Sequence, residues 1–301
     1  MEILARSAGT AALFAVGYAG FRGAKKMGWP AAAMLGSLFL LGLLNLAGLR
    51  LPFYQAPVSF VSKVLSGVIL GQRIDRHMAS AVRKMLFPVS LASFWMVMAS
   101  IATGLLLFVL AGGRLSLMTC LASSSAGGIA EMSIFAMSAG ADVGIVAFFQ
   151  SVRIIVLYAT LPFSTAWLAR RAPGAVLPKA PASGAQTRAS FTPGEIARFA
   201  AVTGALALLF EAAHFPSAYM IGAMCGAGAM NLRSGKVMIL LPWLRGAAQV
   251  CLSMTISVAL SPRTIHLARE LFFPLAFSVT LIQALSFLLA WIMHRLTRWD
   301  V

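Results

Sequence analysis

Long apolar runs, separated by short basic connectors, constrain this chain more than any other feature. Segments of membrane-crossing length lie near 8–24, 30–49, 57–72, 85–111, 144–168, 196–213, 216–232, 243–260 and 271–294. A helix needs about 20 mostly apolar residues to span the hydrocarbon core of a bilayer. Of the 301 residues, 60% are hydrophobic and 11% charged, whereas soluble domains carry about a quarter charged residues. That balance excludes a water-soluble enzyme, a soluble nucleic-acid binder and a disordered scaffold. The expected fold class is an all-α polytopic membrane protein. The net charge of +16 fits it, because nearly all the Lys and Arg lie in the connectors, where positive charge orients membrane helices. Residues 8–21 have the length of a signal-peptide core, but the many later spans make them a first membrane helix.

A tenth apolar stretch, 115–141, reads differently. It contains Ser116, Ser123, Ser124, Ser125, Ser133 and Ser138, the pair Gly127-Gly128, and Glu131. The Ser-Ser-Ser-Ala-Gly-Gly run divides it into two arms of about 9 to 13 residues, each reaching only to mid-bilayer. The expectation is a re-entrant hairpin or broken helix with an unwound tip. Charge counting agrees. With a hairpin, alternation of the other spans puts 17 connector Lys and Arg on one side and 5 on the other; a full crossing gives 9 against 13. The positive-inside rule selects the hairpin, an outside N-terminus and a cytoplasmic C-terminus. Residues 172–194, rich in Pro, Gly, Ser and Ala, form a flexible cytoplasmic linker between a first repeat at 1–171 and a second at 195–301.

Sliding the chain on itself by 186 positions exposes that repeat. Pro30, Met34, Gly36, Gly42, Asn45 and Leu46 meet Pro216, Met220, Gly222, Gly228, Asn231 and Leu232, and Arg83, Phe87 and Pro88 meet Arg269, Phe273 and Pro274. The charges before the two prolines are opposite, Arg22, Lys25 and Lys26 against Glu211 and His214, which predicts inverted repeats. Inverted repeats with irregular backbone at mid-membrane are a transporter architecture. Val301 is the equivalent of Leu115, so the second hairpin and final span would fall beyond residue 301.

Only Glu131 and Asp142, of eight acidic residues, lie amid long apolar sequence. A charge at the bilayer centre costs about 3 kcal/mol or more, so it needs a partner or a watery cavity. Arg153 is the basic residue well inside a late span, and Gln150 precedes it by three positions on the same helical face. Ser123, Ser124, Ser125, Gly127, Gly128, Gln150 and Arg153 are therefore the expected solute-binding set, with Glu131 and Asp142 as ion-coupling groups. Glycines permit close backbone approach, serines supply adaptable donors and acceptors, and the arm beginning at Ile129 offers free N–H groups. Arg153 has two candidate partners, a substrate carboxylate or Glu131. The alternative is an ion-pair network of Glu131, Asp142 and Arg153 that pins the hairpin, or for Asp142 a helix cap. The cysteines Cys120, Cys225 and Cys251 read as packing residues. His77, His214, His266 and His294 are too scattered for a metal site, and no cofactor or enzymatic role is expected.

The run Ala126-Gly-Gly-Ile-Ala-Glu-Met132, followed by Gly140-Ala-Asp142 and Gln150-x-x-Arg153, together with the tandem Pro-x-x-x-Met-x-Gly, resembles the AbrB-type bacterial inner-membrane family. Its members are duplicated and carry a Pro-Gly-Gly-x-x-Glu-Met signature; here Ala126 stands at the proline, and one copy of the signature is present. The resemblance implies a bacterial inner-membrane location and a cation/proton-antiporter-like fold. It implies either a secondary transporter of a small solute, organic anions included, coupled to H⁺ or Na⁺, or a membrane-embedded regulatory protein that affects gene expression indirectly. The expected partners are the solute, H⁺ or Na⁺ and the lipid bilayer, with no direct nucleic-acid contact and a homo-oligomer left open.

Overall fold

The computed structural model describes residues 2–29, 31–49, 51–74, 86–171 and 192–297. Pro30 and most of the expected linker lie outside them. Every regular element among the described residues is helical: α1 (Glu2–Lys26), α2 (Ala32–Leu46), α3 (Gln55–Gly71), α4 (Leu86–Leu110), α5 (Leu117–Ser124), α6 (Ile129–Ser138), α7 (Val143–Arg171), α8 (Pro193–Ala212), α9 (Ala218–Ser234), α10 (Pro242–Ser257), α11 (Pro262–Glu270) and α12 (Phe272–Thr297). The all-α expectation holds over these residues.

Two stretches, Val89–Leu110 of α4 and Phe272–Leu289 of α12, are long and apolar enough to cross a membrane. A third candidate is α10 with α11, which meet at an 83° bend. Residues 261–270 had read as a connector, and they form this separate short helix instead. Ser261 starts it, its hydroxyl accepting the Thr264 N–H at 3.3 Å. Helices α2 and α3, at 15 and 17 residues, are shorter than a bilayer's hydrocarbon is thick, about 30 Å at 1.5 Å per residue. Length and composition therefore support two or three crossings outright. Phe94, Val97 and Val109 on α4 and Phe273, Phe277 and Phe287 on α12 are exposed, the outward apolar surface that a lipid-facing helix presents.

The sequence repeat is also a repeat of backbone. The starts of α2 and α9 (Ala32, Ala218), the ends of α3 and α10 (Gly71, Ser257) and the starts of α4 and α12 (Leu86, Phe272) are each 186 positions apart. So are the left-handed residues Gly28 and His214, at φ 69° and 53°, and Ala31 and Ser217, at φ 47° and 55°. Non-glycine residues rarely adopt that conformation, so its recurrence at matched positions is not a product of composition.

Contacts between the halves exchange in the same register. Asn45 on α2 donates to the Ser257 carbonyl that ends α10, at 2.9 Å, and Asn231 on α9 donates to the Gly71 carbonyl that ends α3, at 3.1 Å. Each of these carbonyls also accepts a backbone N–H three residues on, from Leu260 and Ile74 at 3.0 Å, so the asparagine is its second partner. Gly36 lets α2 press on α1 at Gly20, and Gly222 lets α9 press on α8 at Leu206; small residues permit such backbone approach.

Helices α1, α2, α3, α8, α9 and α10 pack together, and α4, α5, α7 and α12 form a second group. Helix α6 links them. Its Ile129 and Ile134 are buried with Met34, Leu35 and Leu38 of α2, Met220 of α9, Leu252 and Ile256 of α10, and Ala147 of α7. Met34 and Met220 are equivalent residues of the two halves, so the second arm of 115–141 shares its buried cluster with matched positions of both.

Candidate functional site

Residues 115–141 contain two short helices with four non-helical residues between them. Ser116 starts α5, its hydroxyl accepting the Thr119 N–H at 3.2 Å. The helix stops after eight residues because Ser125 turns extended (φ −65°, ψ 137°) and bends its hydroxyl back onto the Leu121 carbonyl at 2.7 Å. This is the competition between serine side chains and the helical ladder that the sequence suggests. Gly128, also extended (φ −80°, ψ 162°), precedes α6. The Glu131 carboxylate folds back over Gly128 so closely that a Cβ there would overlap it, and Met132 crowds Gly127 in the same way. Both crowding groups belong to flexible side chains, which would have to shift for any larger residue.

A helix end leaves terminal carbonyls without partners, and α7 supplies the missing donors. Gln150, fully buried, directs Nε2 at the carbonyls of Ala122, Ser123 and Ser125, at 3.1, 3.3 and 3.0 Å. Arg153 donates through Nη1 to the Ser125 carbonyl at 2.7 Å and through Nη2 to the Gly127 carbonyl. The three-residue spacing puts both side chains on one face of α7, where together they cover the break. From the other side, the Ser100 hydroxyl of α4 accepts the Ala126 N–H at 3.2 Å. Ser100 was not legible as a site residue: a lone serine within an apolar span reads as packing.

The structure therefore gathers Ser123, Ser124, Ser125, Gly127, Gly128, Gln150, Arg153 and Glu131 at one place. Asp142 stands apart, at the other end of α5, where it is exposed and its Oδ1 accepts the Ile145 N–H at 3.1 Å as the cap of α7. Among the described residues, Glu131, Asp142 and Arg153 form no ion pair with one another. Backbone carbonyls hold the guanidinium instead. The hydroxyls of Ser123 and Ser124 and Oε1 of Gln150 at the break, and the hydroxyl of Ser133 within α6, are buried with no hydrogen-bond partner among the described residues. The Gln150 amide cannot flip to relieve this, since a flip would set Oε1 against three carbonyls. Unpaired buried polar groups are costly, and three of them belong to residues at or against this break.

A family model described as "Transition state regulatory protein AbrB" matches residues 2–169 and again residues 55–301. A protein of Bacillus subtilis (strain 168), "Uncharacterized protein YhjN", is 25% identical over 159 residues, 51% of this chain and 41% of that protein. The match thus spans less than half the length of that relative. No solved structure matches. The two overlapping family matches run from residue 2 to residue 301, through both halves and the break between α5 and α6: the chain belongs to the AbrB family.

Proposed function

We propose that the chain is a secondary transporter of a small solute, with its site at the break between α5 and α6. The observation that carries this reading is the seat of α6. Its Ile129 and Ile134 share one buried cluster with Met34 and Met220, equivalent residues of the two halves, near serine hydroxyls that are buried with no partner among the described residues. Carriers built from repeats bind at the repeat interface, where irregular backbone lines a cavity.

In this reading the two halves are inverted repeats of an antiporter-like fold, and 115–141 enters and leaves the membrane on one side. The reversed charges before Pro30 and Pro216 support that arrangement, and the basic connectors support a bacterial inner-membrane protein with a cytoplasmic C-terminus. Ser123 and Ser124, with the backbone of Ser125, Gly127 and Gly128, contact the solute. Gln150 and Arg153 act through the turn they hold, and the nearby guanidinium favours an organic anion. Glu131, half-buried and without an ion-pair partner, is the coupling group for H⁺ or Na⁺. Asp142 serves a different place. The lipid bilayer is the remaining partner; neither a cofactor nor nucleic acid enters.

Uptake of radiolabelled organic acids into proteoliposomes, under imposed H⁺ or Na⁺ gradients, tests the reading. Glu131→Gln is expected to fold and reconstitute yet lose gradient-driven uptake. Normal uptake by that variant overturns the coupling role, and no uptake by the wild type in either gradient overturns transport.

The description of the matching family model, a regulatory protein, favours a second reading, a membrane-embedded protein that alters gene expression indirectly. A transcriptional change on deletion, with no flux through the purified protein, supports it.

A further inference from the structure

A cleft of about 310 Å³ opens at the end of α5 opposite the break, lined by Arg114, Ser116, Thr119, Asp142, Arg263 and Leu267. The eight residues of α5 set it about 12 Å from the turn. Its volume sits at the lower end of the range for small-molecule sites, so a ligand held there is small.

Most polar groups in this cleft are already engaged. Arg114 Nη1 lies 3.0 Å from Glu270 Oε2, and His266 Nδ1 lies 3.3 Å from the other oxygen of that carboxylate. The Ser116 and Thr119 hydroxyls meet at 2.8 Å, and Thr119 also accepts the Asp142 N–H at 3.0 Å. The N-termini of α5, α7 and α11 are capped by Ser116, Asp142 and Ser261. Two charges remain. Among the described residues, Arg263 has neither an ion-pair nor a hydrogen-bond partner, and the Asp142 carboxylate has no ion-pair partner.

These two groups are opposite in sign, line one cleft, and do not reach each other. A simple anion drawn to Arg263 would meet Asp142, and a simple cation drawn to Asp142 would meet Arg263. A small molecule that carries both charges on one carbon offers a partner of the right sign to each. We propose that this cleft binds a small zwitterion, an α-amino acid, with its carboxylate on Arg263 and its ammonium on Asp142. The site is separate from the turn and stands whether or not the turn moves a solute.

Calorimetric titration of the purified full chain in detergent tests this with L-alanine, N-acetyl-L-alanine and L-alaninamide. The derivatives remove the ammonium and the carboxylate in turn. Asp142→Asn and Arg263→Gln are the matching variants. Asparagine caps a helix as well as aspartate, and losing a cation from the first turn of α11 relieves an unfavourable dipole contact, so both variants keep the fold. Alanine is expected to bind about tenfold or more tightly than either derivative. Asp142→Asn should erase its advantage over N-acetylalanine, and Arg263→Gln its advantage over alaninamide. Glu131→Gln, at the turn, should leave alanine binding unchanged while abolishing gradient-driven uptake, which separates this site from the transport reading. Equal binding of alanine and either derivative to the wild type overturns the proposal. So does the absence of saturable binding in the millimolar range, or unchanged binding in both cleft variants.

Discussion

Gln150 and Arg153 meet on a single oxygen. The Ser125 carbonyl accepts Nε2 of one at 3.0 Å and Nη1 of the other at 2.7 Å. The residue at which α5 ends and the break begins is therefore held by two side chains of α7, which supply donors that a further turn of α5 would have provided. An interrupted helix in an apolar setting is tolerated only where such partners exist, and here they come from residues 25 and 28 positions along the chain.

Arg153→Ala should loosen the break. It removes both donors of the guanidinium; the Ser125 carbonyl keeps Gln150, but the half-buried Gly127 carbonyl loses the donor from α7, at a cost of roughly 1 kcal/mol. Lower thermal stability in detergent and faster amide exchange over 125–128 are expected, with Arg153→Lys restoring only part, since one ammonium replaces a planar fork. Exchange at the turn that stayed at the wild-type rate would show that α7 does not hold it.

The close helix pairs of the two halves should respond alike to added bulk. A Cβ on Gly36 would collide with the Gly20 carbonyl, and one on Gly222 with the Leu206 carbonyl. Overpacking of this kind costs about 1–3 kcal/mol, so Gly36→Ala and Gly222→Ala should both melt early. Gly204→Ala is the control. Nothing lies near its added methyl, and a mid-helix Gly→Ala change is worth roughly 0.5–1 kcal/mol in stability.

The matched asparagines should differ in weight. Asn231 donates to the Gly71 carbonyl and accepts the Met238 N–H at 3.3 Å, while buried to 2% exposure. The equivalent of Met238 is Pro52, which has no N–H to offer, so Asn45 only donates, to the carbonyls of Ser257 and Leu260 at 2.9 and 2.6 Å, from a half-buried position. Because Asn231 is the more deeply buried of the two, Asn231→Leu should destabilise more than Asn45→Leu, a buried polar group left unpaired costing about 1–3 kcal/mol. Thermal melts of the two variants decide; equal losses would contradict the assignment.

Asp142 has a structural role alongside the proposed one. Asp142→Ala removes the cap of α7 and should lower stability by roughly 0.5–2 kcal/mol, whereas Asp142→Asn should be near neutral. Melting curves of the two variants separate the cap from the charge.

Local chemistry was legible in linear order. The Ser-Ser-Ser-Ala-Gly-Gly run announces a break because serine side chains and glycine flexibility act over a few residues, and α5 indeed ends within that run. The 186-residue offset was visible for a related reason: small residues that mark close backbone approach, such as Gly36 and Gly222, are irreplaceable where helices touch. Asn45 and Asn231, matched by the same offset, both bond to carbonyls of another helix.

Partners, by contrast, were settled by packing. Linear order set Arg153 and Glu131 in one apolar region and could offer them to each other, yet the guanidinium lies on carbonyls of the turn. Which lone pairs a long side chain reaches depends on how α5 and α7 dock, a distance that no local pattern encodes. The 83° bend between α10 and α11 and the shared cleft of Asp142 and Arg263 belong to the same class. Helix breaks and repeats follow from forces between neighbours in the chain; the pairing of charges follows from contacts that exist only once distant helices have met.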